Sequence, residues 1–213
     1  MVKRIRLLNM KKKLIVDILL FILMILEFSR NYMPTLWHEI IGIILLILVI
    51  IHLILNINYI KSINNGKYNL RRTIMLIINI LFMLFFFISM IFGILSSQEI
   101  LTFLNIKNLN IIKLHKIFAY VSLLLMSLHL GINFSSMFGL IEKKINKIVL
   151  ILLSLLIIGF GIYSFIDLDF WNHITGKYGF SIVTGNIIIN TLEYLSIVMS
   201  ISIITNIVYK KIK

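Results

Sequence analysis

The chain of 213 residues is 60% hydrophobic and 14% charged, with one proline and no cysteine. A mean hydropathy of +1.05 leaves too little polar surface for a water-soluble globule, which predicts an integral membrane protein in a lipid bilayer. The lack of cysteine excludes disulfides, thiolate nucleophiles, cysteine-ligated iron–sulfur clusters and the attachment of c-type haem.

The formal net charge of +13 is distributed unevenly along the chain. Of the 21 lysines and arginines, 16 fall in residues 1–13, 59–72, 142–147 and 209–213, which lie on one side of the predicted spans. By the positive-inside rule these segments and both termini are cytoplasmic. The basic charge therefore encodes topology, and no nucleic-acid partner is expected.

Six apolar runs of about 20 residues each are predicted to cross the membrane as helices. They cover residues 12–29, 38–58, 73–96, 114–133, 147–166 and 186–208. The predicted fold is an all-α integral membrane protein, a six-transmembrane helix bundle with short loops, in which residues 1–213 form a single membrane domain. The first span resembles a retained signal anchor, and the six spans leave no room for a nucleotide- or flavin-binding domain.

Two outer segments differ from the short basic inner loops. Residues 96–113 alternate apolar and polar side chains, which indicates a segment lying in the membrane interface. Residues 167–185 form the longest outer segment and are predicted to dock a partner. The frequent Ile, Asn and Lys residues are typical of a low-GC bacterium, so the expected location is the bacterial cytoplasmic membrane.

Four of the five histidines form a repeated pattern. His38 and His52 flank the second span, and His115 and His129 repeat the 14-residue spacing 77 positions later. Fourteen helical residues rise about 21 Å and end about 40° short of four turns, so both members point to nearly the same face. Because spans 2 and 4 run parallel in this topology, we expect an outer pair, His38 with His115, and an inner pair, His52 with His129.

Polar side chains inside a membrane are costly, which makes a functional interpretation the default. Imidazoles from opposite helices are typical axial ligands of haem iron, so the pattern predicts two b-type haems with four histidine ligands. Such iron has no open coordination position and is suited to electron transfer. The alternative is a set of core histidines with satisfied hydrogen bonds.

Zinc is the competing metal for histidine. About 21 Å between the histidines of one helix is too far for a shared ion, and a site between helices needs further ligands. Glu39, next to His38, keeps a zinc site open at the outer pair.

Small and basic residues near the histidines have two interpretations each. Gly42, Ala119 and Gly131 leave room for a planar macrocycle, or they permit close helix packing. Lys113 and Lys116 bracket His115 and either pair with haem propionates or extend to interfacial water.

Several other polar residues are candidates for proton transfer or quinone binding. Asp17, Glu27, Arg30 and Glu193 are expected to be interfacial or paired, with Glu193 the best functional candidate because it lies deepest in its span. His173 is expected to be an exposed loop histidine.

The segments HEIIGIILLILVIIHLILN, GILSSQEILTFLNI, LHKIFAYVSLLLMSLHLGIN and TLEYLSIVMSI, in this order, resemble the flavinylation-associated cytochromes, and more distantly the ferric-reductase-like and b561-type dihaem cytochromes. The resemblance covers about residues 38–205. It implies a b-type cytochrome that passes electrons across the membrane to extracytoplasmic proteins carrying covalent FMN. It also implies haem ligation by His38, His52, His115 and His129.

The predicted function is that of a dihaem cytochrome, either an electron-transfer protein or an oxidoreductase subunit, that binds no flavin itself. Electrons are expected to come from quinol or a cytoplasmic donor and to leave through His38 and His115. Two alternatives stay open: a haem-free transporter or channel, which predicts more polar residues on the histidine-bearing faces, and a scaffold subunit of a redox complex.

Overall fold

A computed structural model describes residues 2–133, 145–177 and 185–212 of the chain. All regular structure in these ranges is helical, which confirms the all-α prediction. The helices are α1 (Val2–Glu27), α2 (Thr35–Leu55), α3 (Ile57–Ser62), α4 (Leu70–Leu95), α5 (Leu109–Asn133), α6 (Lys147–Asp167), α7 (Phe170–Thr175) and α8 (Ile187–Lys211). Short 3₁₀ turns lie at Arg30–Tyr32 and Thr102–Leu104.

Five of these helices are long and apolar enough to cross a membrane: α2, α4, α5, α6 and α8. Their bounds lie close to the corresponding predicted spans, and they confirm the multi-pass membrane class. The first predicted span, residues 12–29, lies mostly in α1, which ends at Glu27 and is not one of the five. Its apolar part follows three consecutive lysines, Lys11 to Lys13, and contains Asp17.

Three of the long helices begin directly after an asparagine whose side chain caps the helix. The side chains of Asn69, Asn146 and Asn186 accept hydrogen bonds from backbone N–H groups in the first turns of α4, α6 and α8. Such caps satisfy donors that have no partner within the helix. The segment between α4 and α5, predicted to lie in the interface, contains only the Thr102–Leu104 turn as regular structure.

The helices pack as two hairpins joined by α8. α1 packs on α2, α4 packs on α5, and α8 contacts both α5 and α6. The buried core includes Leu45, Phe86, Leu123, Ile197 and Phe170. The short helix α7 also packs on α5. Its residue Phe170 is completely buried.

Close contact between α8 and its neighbours depends on glycine. A Cβ at Gly131 would lie 2.5 Å from the Ser202 carbonyl oxygen, and a Cβ at Gly161 would lie 2.6 Å from that of Ser196. Small residues allow such close approach of membrane helices. Of the two interpretations of Gly131, the structure therefore supports helix packing.

Candidate functional site

His38 on α2 and His115 on α5 lie side by side. Their ring centroids are 6.1 Å apart and their planes are inclined by 76°. The structure thus brings the predicted outer pair together. We call the position of these two residues the His38 level.

His52 and His129 occupy the other end of the same two helices, which we call the His52 level. His129 lies within electrostatic range of His52 and Asp17, so α2 and α5 run in the same direction. In the part of the chain that the structure describes, no ring contact joins His52 to His129. The nearest aromatic neighbour of His129 is Phe82, with ring centroids 5.6 Å apart.

The Nδ1 atom of each of the four histidines lies beside an oxygen of the preceding long helix. Nδ1 of His52 is 2.7 Å from Asp17 Oδ1, and Nδ1 of His38 is 2.7 Å from Glu27 Oε2. On the other hairpin, Nδ1 of His129 is 2.8 Å from Asn79 Oδ1, and Nδ1 of His115 is 2.9 Å from the Ser89 carbonyl oxygen. The His38 contact is close but is not aligned as a hydrogen bond.

These contacts determine which ring nitrogen is available for chemistry. Carbonyl, amide and carboxylate oxygens accept hydrogen bonds, so Nδ1 is the donor in the contacts of His52, His115 and His129. Among the described residues, Nε2 has a polar neighbour only at His52, where Asn56 Nδ2 lies 3.4 Å away. Histidines that bind metals through one nitrogen commonly donate the other N–H in this way, because the contact sets the tautomer and the ring orientation.

The two hairpins repeat one arrangement. Asp17 and Glu27 are ten residues apart on α1, and Asn79 and Ser89 are ten residues apart on α4. In both hairpins the earlier residue meets the His52 level and the later one meets the His38 level. The repeat therefore includes the neighbouring helices as well as the histidine spacing.

The repeat also includes an asparagine four residues after each histidine of the His52 level. Nδ2 of Asn56 donates to the His52 carbonyl oxygen at 3.0 Å, and Nδ2 of Asn133 donates to that of His129 at 2.8 Å. Both amides also lie near the histidine rings. Lys13 Nζ donates to Asn56 Oδ1 at 3.0 Å, which connects α1 to this network.

Three residues of α4 that contact the histidines were missed by the sequence reasoning: Asn79, Ser89 and Gly93. Asn79 also donates from Nδ2 to the Tyr59 hydroxyl at 2.9 Å, so both ends of its amide are used. As a polar residue inside an apolar span, it could have been found by the rule that singled out the histidines. Ser89 contacts His115 mainly through its main chain, which no side-chain pattern encodes.

Gly93 makes space for the His115 ring. A Cβ at this position would lie 3.0 Å from His115 Cε1 and 3.1 Å from Nδ1, closer than ordinary contact.

The two small residues that were expected to leave room near the outer histidines, Gly42 and Ala119, have different surroundings. Ala119 lines the cavity beside the pair, whereas a Cβ at Gly42 would meet no atom within 4 Å.

A cavity of about 590 Å³ opens at the His38 level. Both histidines line it, as do Arg30 and Lys116, which bring positive charge, and Glu193, the candidate of the last span. The volume lies within the range of about 300 to 1,000 Å³ that is common for ligand pockets. The lining of this cavity does not reach the His52 level.

His173 differs from the exposed loop histidine that was expected. It lies on α7, lines the same cavity, and its ring stacks on Tyr120 with centroids 4.4 Å apart. Burial lowers the pKa of His173; the positive charge of Lys116 lowers it further, and Asp169 opposes the shift. This shift favours the neutral form of His173. Residues 178–184 of the predicted docking segment lie outside the described residues.

Lys113 and Lys116 occupy different surroundings. Lys116 lines the cavity, whereas Lys113 Cε lies 3.0 Å from the position that a Cβ would take at Gly176. Of the two lysines, Lys116 is thus the one placed to meet an anionic group in the cavity, together with Arg30.

The carboxylate of Glu39 is already occupied. It accepts from Ser97 Oγ at 2.7 Å and from the backbone N–H groups of residues 98–100. Within the described ranges, no group of three or more histidine and acidic side chains is placed to hold a metal ion. Structural and catalytic zinc sites use three or four protein ligands. The geometry at the His38 level therefore does not match a zinc site.

Comparisons with known proteins give no assignment: no family model, curated protein or solved structure matches this chain. The resemblance to the flavinylation-associated cytochromes stays a prediction from the quoted segments.

Proposed function

We propose that this chain is a six-span b-type cytochrome whose histidine quartet binds two haems and carries electrons across a membrane. The observation that supports it best is the oxygen that lies within 2.9 Å of Nδ1 of each of the four intramembrane histidines, in a matched arrangement at two levels. Such contacts leave Nε2 of each ring as the metal-binding atom. His38 with His115, and His52 with His129, would hold one haem each, and a bound haem would supply a one-electron iron couple.

The residues at the His38 level fit this group. The rings of His38 and His115 lie next to each other beside the cavity and would hold an iron between them. The centroids of His38 and His115 are 6.1 Å apart. The adjoining cavity contributes Arg30 and Lys116 as partners for propionates. The porphyrin supplies four further nitrogens, so two protein ligands are enough.

The sixth span of the proposal is α1. Asp17 meets α2 at the His52 level and Glu27 meets it at the His38 level. α1 therefore runs beside α2 between the two levels, although its own sequence is less apolar. With six spans, the positive-inside rule puts both termini in the cytoplasm of a bacterium and the His38 level on the outer side.

The proposed direction is outward, from quinol or a cytoplasmic donor through the His52 level to the His38 level. An inside-negative potential favours this transfer by about 2.3 kcal/mol per electron per 100 mV for a full crossing. An extracytoplasmic flavoprotein, as the family resemblance implies, or another redox protein is the proposed acceptor. In this proposal the chain acts as an electron-transfer protein or as a subunit of an oxidoreductase.

The transporter alternative requires a polar path, and two of the serines it would use are engaged elsewhere. The hydroxyl of Ser122 donates to the Phe118 carbonyl oxygen at 2.7 Å, and that of Ser127 donates to Leu123 at 2.8 Å. Both hydroxyls therefore hydrogen-bond within α5. This arrangement favours the cytochrome proposal over a hydrated path along the helix.

An optical spectrum tests the proposal directly. The full chain, expressed with ample haem and purified in detergent, is expected to show b-type absorbance on dithionite reduction and a ratio of about two haems per chain. A folded chain without this absorbance would overturn the cytochrome proposal and leave the transporter or scaffold. A ratio of one would contradict the two-haem form.

Gly93→Ala tests the packing behind His115. The added methyl group is expected to push the ring away from the Ser89 carbonyl oxygen, because contacts of 3.0 and 3.1 Å allow little adjustment. The expected result is a weaker haem affinity at the His38 level, about tenfold, equivalent to about 1.4 kcal/mol. Haem transfer to apomyoglobin measures the affinity, and Gly159→Ala is the control because a Cβ there meets no atom within 4 Å. Equal transfer from both variants would contradict the prediction.

A further inference from the structure

The two hairpins hold their histidines with oxygens of different charge. On α1 both contacts are carboxylates, Asp17 with His52 and Glu27 with His38, each at 2.7 Å. On α4 both are neutral, the Asn79 amide and the Ser89 carbonyl. Each level therefore combines one histidine facing a carboxylate with one facing a neutral acceptor.

This arrangement is not explained by helix packing alone. The side chain of Glu27 is only 11% exposed, and burying a carboxylate is costly unless it is paired. Its Oε1 atom is buried and has no hydrogen-bond partner among the described residues, so Oε2 beside His38 carries its main polar contact. Asp17 likewise directs its Oδ1 at His52.

A carboxylate beside a ligand histidine acts on a metal in two ways. Accepting the Nδ1 proton fixes the ring so that Nε2 is the ligand, and it raises the basicity of that nitrogen. The negative charge also stabilises the oxidised, more positive metal in surroundings of low dielectric constant. A neutral amide or carbonyl fixes the ring but contributes little charge.

We infer that Asp17 and Glu27 are positioning residues that hold His52 and His38 for iron and lower the reduction potential of the haem at their level. The inference rests on the proposed function. It assigns the two carboxylates to redox tuning, one to each level. The neutral contacts of α4 supply orientation only.

Potentiometric titration of the purified haem-loaded chain, followed by optical spectroscopy, tests this assignment. Asp17→Asn keeps an oxygen acceptor and removes the charge, so one of two one-electron waves is expected to rise. The expected size is a tenfold change in the ratio of oxidised to reduced haem at a fixed potential, which is about 59 mV for one electron. Glu27→Gln is expected to raise the other wave.

The reciprocal variant changes the neutral contact at the His52 level, the Asn79 side chain beside His129. Asn79→Asp introduces a carboxylate beside His129 and is expected to lower the wave that Asp17→Asn raises. Glu99→Gln is the control, because this exposed acid lies outside the cavity lining and its side chain contacts none of the four histidines among the described residues. Its potentials are expected to match those of the unsubstituted chain.

The outcomes separate the inference from the proposed function. An unsubstituted chain without b-type absorbance contradicts the function itself. Two haems with unchanged potentials in Asp17→Asn, Glu27→Gln and Asn79→Asp overturn the inference alone. If Asp17→Asn fails to fold, Glu27→Gln and Asn79→Asp decide the question, because each changes the charge beside a different histidine.

Discussion

On the proposed two-haem arrangement, a chain carrying His115→Ala is expected to keep one haem and to lose the other. His115 and His38 share one level, and removing either would leave the proposed iron there with a single histidine. His52 and His129 have separate Nδ1 partners on α1 and α4 and do not depend on this pair. The haem content per chain is therefore expected to fall by about half, as measured by the pyridine haemochrome spectrum. His52→Ala and His129→Ala are expected to remove the other haem.

The fifth histidine provides the matched control for these variants. His173 lines the same cavity as His38 and His115, but it lies on α7 and stacks on Tyr120. His173→Ala is expected to retain both haems. Loss of both haems from each of the four single variants, with helical content unchanged, would indicate one shared site and contradict the two-level arrangement.

Gly161→Ala is expected to destabilise the contact between α6 and α8. Its Cβ would lie 2.6 Å from the Ser196 carbonyl oxygen and 2.0 Å from Ser200 Oγ. The serine hydroxyl can rotate away, but the carbonyl belongs to the backbone of α8, so the helices must separate. Overpacking of this kind costs about 1 to 3 kcal/mol. The free energy of unfolding, measured by circular dichroism during SDS titration, is expected to fall by this amount relative to the control.

Gly159→Ala is the control for this substitution as well. It lies on the same helix, two residues away, and a Cβ there meets no atom within 4 Å. Both changes improve helix propensity by about 1 kcal/mol, so the difference between the two variants reports packing. Equal stability of the two variants would show that α6 does not approach α8 as closely as the structure has it.

The helices were predictable because the apolar runs have the length of a membrane span. The predicted spans from 38–58 onward lie close to α2, α4, α5, α6 and α8. The start of α5 was placed too late, since the polar residues around Leu109 look like a loop although they extend the helix. The first predicted span, residues 12–29, is not among the five helices that are apolar enough to span, and its Asp17 contacts His52 on α2.

The sequence predicted the pairing of the histidines but not the residues that contact them. The two 14-residue spacings predicted which histidines face each other, and His38 and His115 do meet. Their partners were harder to predict, because the contact of His115 is with the main chain of Ser89. His173 was expected in an exposed loop, and its burial depends on how α7 packs on α5.

The contacts between α1 and α2 have a consequence for how the protein is made. An acidic residue within a span opposes the insertion of the helix that carries it into the bilayer. α1 contains Asp17 and Glu27, whereas the 18-residue core of α2 has a mean hydropathy of 2.7. On the six-span proposal, α1 is retained in the bilayer when α2 follows it from the translocon and its histidines shield the two carboxylates. The hairpin, rather than the single helix, is then the unit of membrane insertion.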